Sequence, residues 1–205
     1  MDQLEIAAIN NCRETNKTNF HTINNEKGFS LLELVVVITI IGALLVIAVE
    51  KLLTVQVSAE QVAMQQVLGS LKSAMSLNIA AHIADQNIKG LVDAENTNPM
   101  DWLSEKPDNY IGTLNEPDPT DIKGFNWYYD TYSQTLVYRV SNQEYFKTSL
   151  NGAARARFKV KLDYTDSNAN GLYEKDIDEI TGLQLISLNP YEWTNEALTT
   201  HDYEN

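Results

Sequence analysis

Few side chains in this 205-residue chain have the types and spacing that catalysis or ligand binding requires. His21, His82 and His201 are scattered without the spacing of a paired metal site, and Cys12 is the only cysteine. The sequence contains no phosphate-binding glycine loop, dinucleotide motif or nucleophile elbow. It therefore predicts no enzyme, and two features remain to be explained: an acidic loop near the C-terminus and a lone glutamate in an apolar segment.

The acidic loop covers residues 163–178 and contains the pattern Asp-x-Asn-x-Asn-Gly, from Asp166 to Gly171. In loops that wrap Ca²⁺, oxygen ligands at alternate positions surround the ion while the glycine allows a sharp turn. The twelfth position is Ile177 instead of the bidentate glutamate of an EF-hand, so a complete EF-hand is not expected. An Asn/Gly turn without metal is the alternative. The candidate ligands are Asp166, Asn168, Asn170, the carbonyl of Leu172, Glu174, and Asp176 or Asp178.

Glu33 is the one ionisable residue between Phe29 and Val49. As a helix this segment would span roughly 31 Å, which is the thickness of the hydrocarbon core of a bilayer. A carboxylate in hydrocarbon costs several kcal/mol unless it is neutralised or paired. The sequence therefore predicts a membrane helix whose glutamate needs a cationic partner at a similar depth.

Residues 1–28 differ from an ordinary secretory leader, because they are polar and precede the apolar run instead of containing it. No small-residue cleavage site closes the run; Glu50 and Lys51 lead into further helix. A cut is therefore expected before the apolar segment, which stays in the product. Basic residues on its N-terminal side favour a cytoplasmic N-terminus.

The sequence Lys-Gly-Phe-Ser-Leu-Leu-Glu-Leu at 27–34 resembles the type III signal of type IV prepilins and type II secretion pseudopilins. The resemblance implies that prepilin peptidase cuts between Gly28 and Phe29 and methylates the new N-terminus at Phe29. Glu33 matches the glutamate at the family's fifth mature position, and its implied partner is the amine of a neighbouring Phe29. The family usually has a proline where this chain has Glu50, while Gly42 is retained.

The predicted organisation continues the membrane helix (29–49) into an amphipathic half (50–85). The stripe of this half is Met64, Leu68, Leu71, Met75 and Ile79. A connecting loop rich in proline and glycine follows at 86–124. Strands are predicted at 125–130, 135–140, 156–164 and 182–188, within a head of 125–205 that ends in a tail. Arg157, Lys159 and Lys161 alternate on the outer face of the third strand, where they could meet acidic neighbours in a filament or simply be solvated.

These features predict an α+β fold. A long helix, transmembrane in its first half and amphipathic in its second, packs on a small antiparallel sheet, as in the lollipop-shaped fold of pilins. The resemblance implies a structural subunit of a type IV pilus, and the connector at 98–112 resembles minor pilins of mannose-sensitive haemagglutinin-type systems. It implies prepilin peptidase, other pilin subunits, an inner-membrane assembly platform and membrane lipids as partners. The head would lie in the periplasm of a Gram-negative-type bacterium before it joins a pilus or pseudopilus.

Charge narrows the possible partners. The chain has 15 basic and 28 acidic residues, and 12 and 24 of these follow residue 28. Such a surface repels nucleic acid and suits solubility or capture of divalent cations. Two alternatives to a pilus subunit remain: a calcium-binding pseudopilin of a type II secretion system, and a bitopic membrane receptor with a periplasmic ligand-binding head.

Overall fold

The computed structural model describes residues 29–194 and 196–198. One 54-residue helix, α1 (Leu31–Ala84), opens the described chain. Proline is absent from this stretch, so no backbone donor is missing along it. Gln86 takes a left-handed conformation (φ 54°), and the amide of Asn87 donates to the carbonyl of His82 at 2.9 Å. The helix therefore ends in a Schellman motif, which satisfies carbonyls of the last turn.

The C-terminal part of α1 packs on the sheet through one stripe. Its most buried apolar side chains are Val57, Met64, Leu71 and Met75, and Leu68 and Ile79 pack beside them. Spacings of three, four and seven residues keep these side chains on one face of a helix. The apolar stripe predicted from the sequence is the face that enters the core.

The main sheet has five strands in the order β1-β2-β3-β5-β6. The strands are β1 (Tyr110–Leu114), β2 (Asn126–Asp130), β3 (Thr135–Arg139), β5 (Arg155–Thr165) and β6 (Glu179–Ser187). All neighbours are antiparallel except β1 and β2, which are parallel. A separate antiparallel pair joins β4 (Phe146–Thr148) to β7 (Tyr191–Trp193). The expected α+β fold, a long helix followed by a small and mostly antiparallel sheet, is confirmed.

Alternation along the strands divides the sheet into two faces. Trp127, Tyr138, Leu136 and Phe158 point into the core against α1 and are almost fully buried. Trp127 and Tyr138 are cross-strand partners whose ring centroids lie 4.7 Å apart. Such aromatic pairs stabilise a sheet beyond the area they bury. Trp127, Tyr129 and Tyr138 of the first two predicted strands therefore pack the core, whereas Phe125 is 43% exposed.

The segment 86–124, expected to be a connecting loop, also contains regular structure. It holds two 3-10 helices, Ile88–Ala94 and Pro99–Trp102, and strand β1. Gly112 adopts a positive φ of 101°, and the register with β2 shifts between Tyr110 and Thr113. A short strand broken by a glycine shows no period-two pattern, which is why the sequence predicted a loop. Because β1 pairs with β2 in parallel, the sheet is mostly antiparallel.

Candidate processing, assembly and metal sites

The start of α1 lies next to the predicted cut. Phe29 and Ser30 precede the helix, and the amide of Leu34 donates to the carbonyl of Ser30 at 3.1 Å. Ser30 therefore stands at the N-cap, a position that serine favours. Glu33 lies in the first turn, where the helix dipole favours a negative charge. Gly28 and the rest of the leader 1–28 lie outside the described residues.

Every residue from Phe29 to Val49 is exposed, and Phe29 itself is 75% exposed. By length and composition, α1 is the one helix in the described part of the chain that is apolar enough to cross a membrane. Neither of the two ion pairs found among the described residues involves Glu33; they are Lys89–Asp176 and Lys106–Asp101. Phe29 and Glu33 therefore lie at the start of an apolar segment whose residues are all exposed.

Glu60 is a buried carboxylate that the sequence analysis missed. It is 3% exposed and accepts hydrogen bonds from Tyr138 Oη at 3.0 Å and from the amide of Ser141 at 2.7 Å. The amide and side-chain nitrogens of Asn142 donate to its other oxygen at 3.0 and 2.5 Å. Burial and the nearby Glu60 carboxylate raise the pKa of Tyr138 well above its usual range. Glu60 follows Val57 by three residues and precedes Met64 by four, so its place in the apolar stripe is the signal that could have identified it.

The acidic loop is closed at its base by Asp178. Asp178 is buried. One of its carboxylate oxygens accepts a hydrogen bond from the amide of Ser167 at 2.9 Å, and the other accepts one from the amide of Glu174 at 2.8 Å. These bonds join the two ends of the loop between β5 and β6. Asp178 therefore has a structural role at the base, whereas the other candidate ligands lie further out.

Four candidate ligands converge at the tip of the loop. Asp166 accepts from the amides of Gly171 at 2.7 Å and Asn170 at 3.3 Å, and these bonds, led by the one from Gly171, lower the pKa of the carboxyl. Asn168 and Asn170 both donate through Nδ2 to the same oxygen of Glu174, at 2.5 and 2.7 Å. Each amide also carries an oxygen on the same carbon, so rotation of the two amides would present oxygens in place of nitrogens. Asp166, Asn168, Asn170 and Glu174 thus supply the hard oxygen donors that Ca²⁺ prefers.

One candidate ligand, Asp176, is engaged in an ion pair outside the loop. Asp176 forms an ion pair with Lys89 at 2.5 Å, and this hydrogen bond and charge lower the pKa of the Asp176 carboxyl. Leu172 is 70% exposed, and its amide donates to Asn170 Oδ1 at 2.8 Å. Within the described residues, no three His, Cys, Asp or Glu side chains gather as a metal cluster. A calcium site here would therefore depend on the two asparagine amides.

His82 is the one histidine among the described residues. The Nδ1 atom of His82 lies 2.9 Å from the carbonyl of Asn78 in the last turns of α1. This contact is local to the helix and accounts for the position of the ring. His21 and His201 fall outside the described residues.

Comparison with known proteins identifies the N-terminal segment. The family model described as the prokaryotic N-terminal methylation motif matches residues 23–49. No significant match was found among curated proteins or solved structures. The matched range contains the Gly28–Phe29 junction, Glu33 and the exposed apolar part of α1 that leads to Val49. Residues 23–49 therefore carry the N-terminal signal of type IV pilins and pseudopilins.

Proposed function

We propose that this chain is a prepilin-like structural subunit that is assembled into, or initiates, a type IV pilus. The observation that carries the proposal is the match at 23–49, whose apolar part belongs to the same helix, α1, that packs on the sheet further along the chain. The signal itself indicates processing by prepilin peptidase and assembly with other pilin subunits. In this role the chain is a substrate of a peptidase and a building block, without catalysis of its own.

Processing takes place between Gly28 and Phe29, and the peptidase methylates the amine of Phe29. The apolar part of α1 then remains in the inner membrane among lipids, with its N-terminus cytoplasmic and the head in the periplasm of a Gram-negative-type cell. An inner-membrane assembly platform collects the subunits. The exposed apolar surface of 29–49 supports this, because that much hydrocarbon surface is stable only in lipid or against other helices.

Glu33 supplies the negative partner for the Phe29 amine of a neighbouring subunit. Glu33 lies in the first turn of α1 and Phe29 lies two residues before the helix, so the two groups reach similar depths when helices bundle side by side. A subunit out of register would leave one charge unpaired in hydrocarbon, which is strongly unfavourable. The pair therefore favours one axial register between adjacent helices.

The test is the mass of the protein isolated from membranes of cells that contain prepilin peptidase. We expect the mass of residues 29–205 plus one methyl group. Gly28→Val should leave the leader in place. Gly69→Ala is the matched control, because a Cβ at that helical glycine meets nothing within 4 Å. Retention of residues 1–28 in the wild-type protein would contradict the proposal and favour a bitopic membrane receptor with a ligand-binding head.

A second candidate is a calcium-binding pseudopilin of a type II secretion system. Convergence of Asn168 and Asn170 on Glu174, with Asp166 alongside, supports it, because these oxygen-bearing groups would hold Ca²⁺. Bound calcium would neutralise the carboxylates and hold the loop in one conformation, which no disulfide can do because the loop contains no cysteine. Deleting the gene separates the two machines: loss of surface filaments supports the pilus, and loss of exported enzymes with filaments intact supports the secretion system.

A further inference from the structure

Strand β5 carries a row of cations on the face turned away from the core. Along this strand Ala156, Phe158, Val160 and Leu162 are buried, and the residues between them are partly or fully exposed. The alternate residues are Arg155, Arg157, Lys159 and Lys161, which we call the basic row. At about 3.4 Å per residue the row is roughly 20 Å long. It is a linear, positively charged surface on a chain whose acidic residues outnumber its basic ones by 28 to 15.

The basic row has no acidic partner in the described part of the chain. The ion pairs found there join other residues. Arg155 Nη1 donates to the carbonyls of Asn151 and Ala153, both at 3.0 Å. Asp118 attracts Arg155 from a distance, but its carboxylate is held by the amide and hydroxyl of Thr120 at 2.8 and 2.7 Å. The fold therefore keeps the row unpaired although acidic side chains are abundant.

The same face of the sheet becomes acidic at its other end. Asp163 continues the alternation of the basic row, and Glu179 lies opposite Thr165 on the neighbouring strand β6. Beyond them the loop adds the carboxylates of Asp166 and Glu174. We call Asp163, Glu179 and these two loop residues the acidic end. The β5–β6 pair thus has cations along β5 and carboxylates where β5 ends, β6 begins and the loop joins them.

We propose that the basic row of one copy docks on the acidic end of a second copy. The proposal rests on the filament role argued above and names the contact between heads. A contact between two different surfaces leaves one surface of each copy free for the next copy, so where its rotation does not close a ring it repeats from copy to copy and extends an open assembly. Charge complementarity then selects this neighbour and fixes its direction. An anionic polymer is the disfavoured occupant, because the chain after residue 28 has 24 acidic against 12 basic residues and repels polyanions.

Cysteine crosslinking of the full chain tests the contact, because the only native cysteine, Cys12, precedes the cut. Lys159→Cys combined with Glu179→Cys places one thiol on each surface. Within one copy the two positions lie about 20 Å apart along the strands, too far for a disulfide. Any disulfide must therefore join two copies. We expect mild oxidation of cells that display the assembled protein to produce crosslinked dimers and longer ladders.

Charge reversal then tests the electrostatic cause. In the crosslinking background, Arg157→Glu with Lys161→Glu should reduce ladder yield by at least about tenfold, since like charges facing each other across an interface repel. Adding Asp163→Lys with Asp166→Lys should restore it. The matched control is Lys72→Glu with Lys123→Glu, which makes the same change in net charge at exposed positions on α1 and in the loop before β2. The control should keep the wild-type yield.

Two results would overturn the proposal: filaments without ladders, and ladders that survive charge reversal. If reversal also abolishes binding to a sulfated-polysaccharide resin while ladders persist, the row is assigned to an anionic polymer. Mass analysis of the same samples separates the two proposals: an uncut wild-type chain contradicts the filament role, whereas a cut, filament-forming chain without ladders contradicts only the docking contact.

Discussion

The hydroxyl of Tyr138 donates to the carboxylate of Glu60 across 78 positions of sequence, at 3.0 Å. Tyr138 lies in the middle of the core on β3, and Glu60 lies on the buried stripe of α1. The turn after β3 adds three further donors to the same carboxylate, from Ser141 and Asn142. Apolar packing fixes which face of α1 meets the sheet, while these directional bonds fix its axial position.

Glu60→Ala should lower the free energy of unfolding by about 3 kcal/mol or more, because it leaves several buried donors without an acceptor. Tyr138→Phe should cost about 1–2 kcal/mol, since Glu60 keeps its three other bonds. Urea unfolding of the full chain in mild detergent, followed by near-ultraviolet circular dichroism, measures both. Glu105→Ala is the control, because Glu105 is exposed. Equal stability of Glu60→Ala and Glu105→Ala would contradict the role of Glu60.

The structure also shows which features a sequence can predict. The apolar stripe from Met64 to Ile79 and the alternation of buried and exposed residues in β5 were predictable, because both patterns depend only on residues that are close in sequence. Glu60 was not, because its burial depends on donors around 80 positions away. The Gly28–Phe29 motif is local and was recognised directly, whereas the pairing of Asp176 with Lys89 spans 87 positions. Asp176 therefore remained among the candidate ligands until its partner was known.

Asp130 should make stability depend on pH at the acidic end of the range. Burial disfavours its charged form, but bonds from the hydroxyl of Ser133 and the amides of Glu116 and Tyr132 outweigh burial and lower its pKa from the ordinary 3.8. A carboxyl with a lowered folded pKa stabilises the fold above its unfolded pKa and loses that contribution as pH falls through the folded value. Asp130→Asn should therefore lower Tm at pH 7 by about 2–4 °C, the shift expected for about 1 kcal/mol.

Thermal melts of wild type and Asp130→Asn from pH 7 to pH 2 measure this dependence. The Tm difference should be constant above about pH 5 and shrink as the wild-type carboxyl becomes protonated. Asp108→Asn serves as the control, because that carboxyl lies in an exposed loop. A difference that stays the same down to pH 2 would show that the charge of Asp130 has no part in the effect.

Calcium should raise Tm of the full chain relative to the same protein in EGTA if the loop binds the ion. Free Ca²⁺ at one hundred times its Kd would add about 2.7 kcal/mol. Asp166→Ala should abolish this increment, whereas Asp176→Ala should keep it, because Asp176 is paired with Lys89. Asp166→Ala also removes the hydrogen bond from the amide of Gly171, so it changes Tm without calcium as well. The quantity to compare is therefore the rise in Tm that calcium produces in each protein. Identical melts in Ca²⁺ and EGTA would remove the calcium proposal.

Glu33→Gln should separate processing from assembly. The side chain keeps its size but loses the charge that would pair with the Phe29 amine of a neighbour, so an ammonium group in the bundle stays unpaired. Cleavage between Gly28 and Phe29 should continue, because the substitution leaves both of these residues unchanged. We expect incorporation into filaments to fall at least about tenfold, which corresponds to 1.4 kcal/mol.

The measurement is the variant's abundance in sheared filaments relative to membranes, with the mass of the membrane form as the readout of processing. Thr39→Val is the matched control: it replaces another polar side chain of the exposed apolar segment, whose hydroxyl bonds only to the carbonyl of Val35 in its own helix, at 2.8 Å. The control should be cut and incorporated like wild type. Wild-type incorporation of Glu33→Gln would show that the amine finds another partner, and loss of cleavage would place Glu33 in recognition by the peptidase.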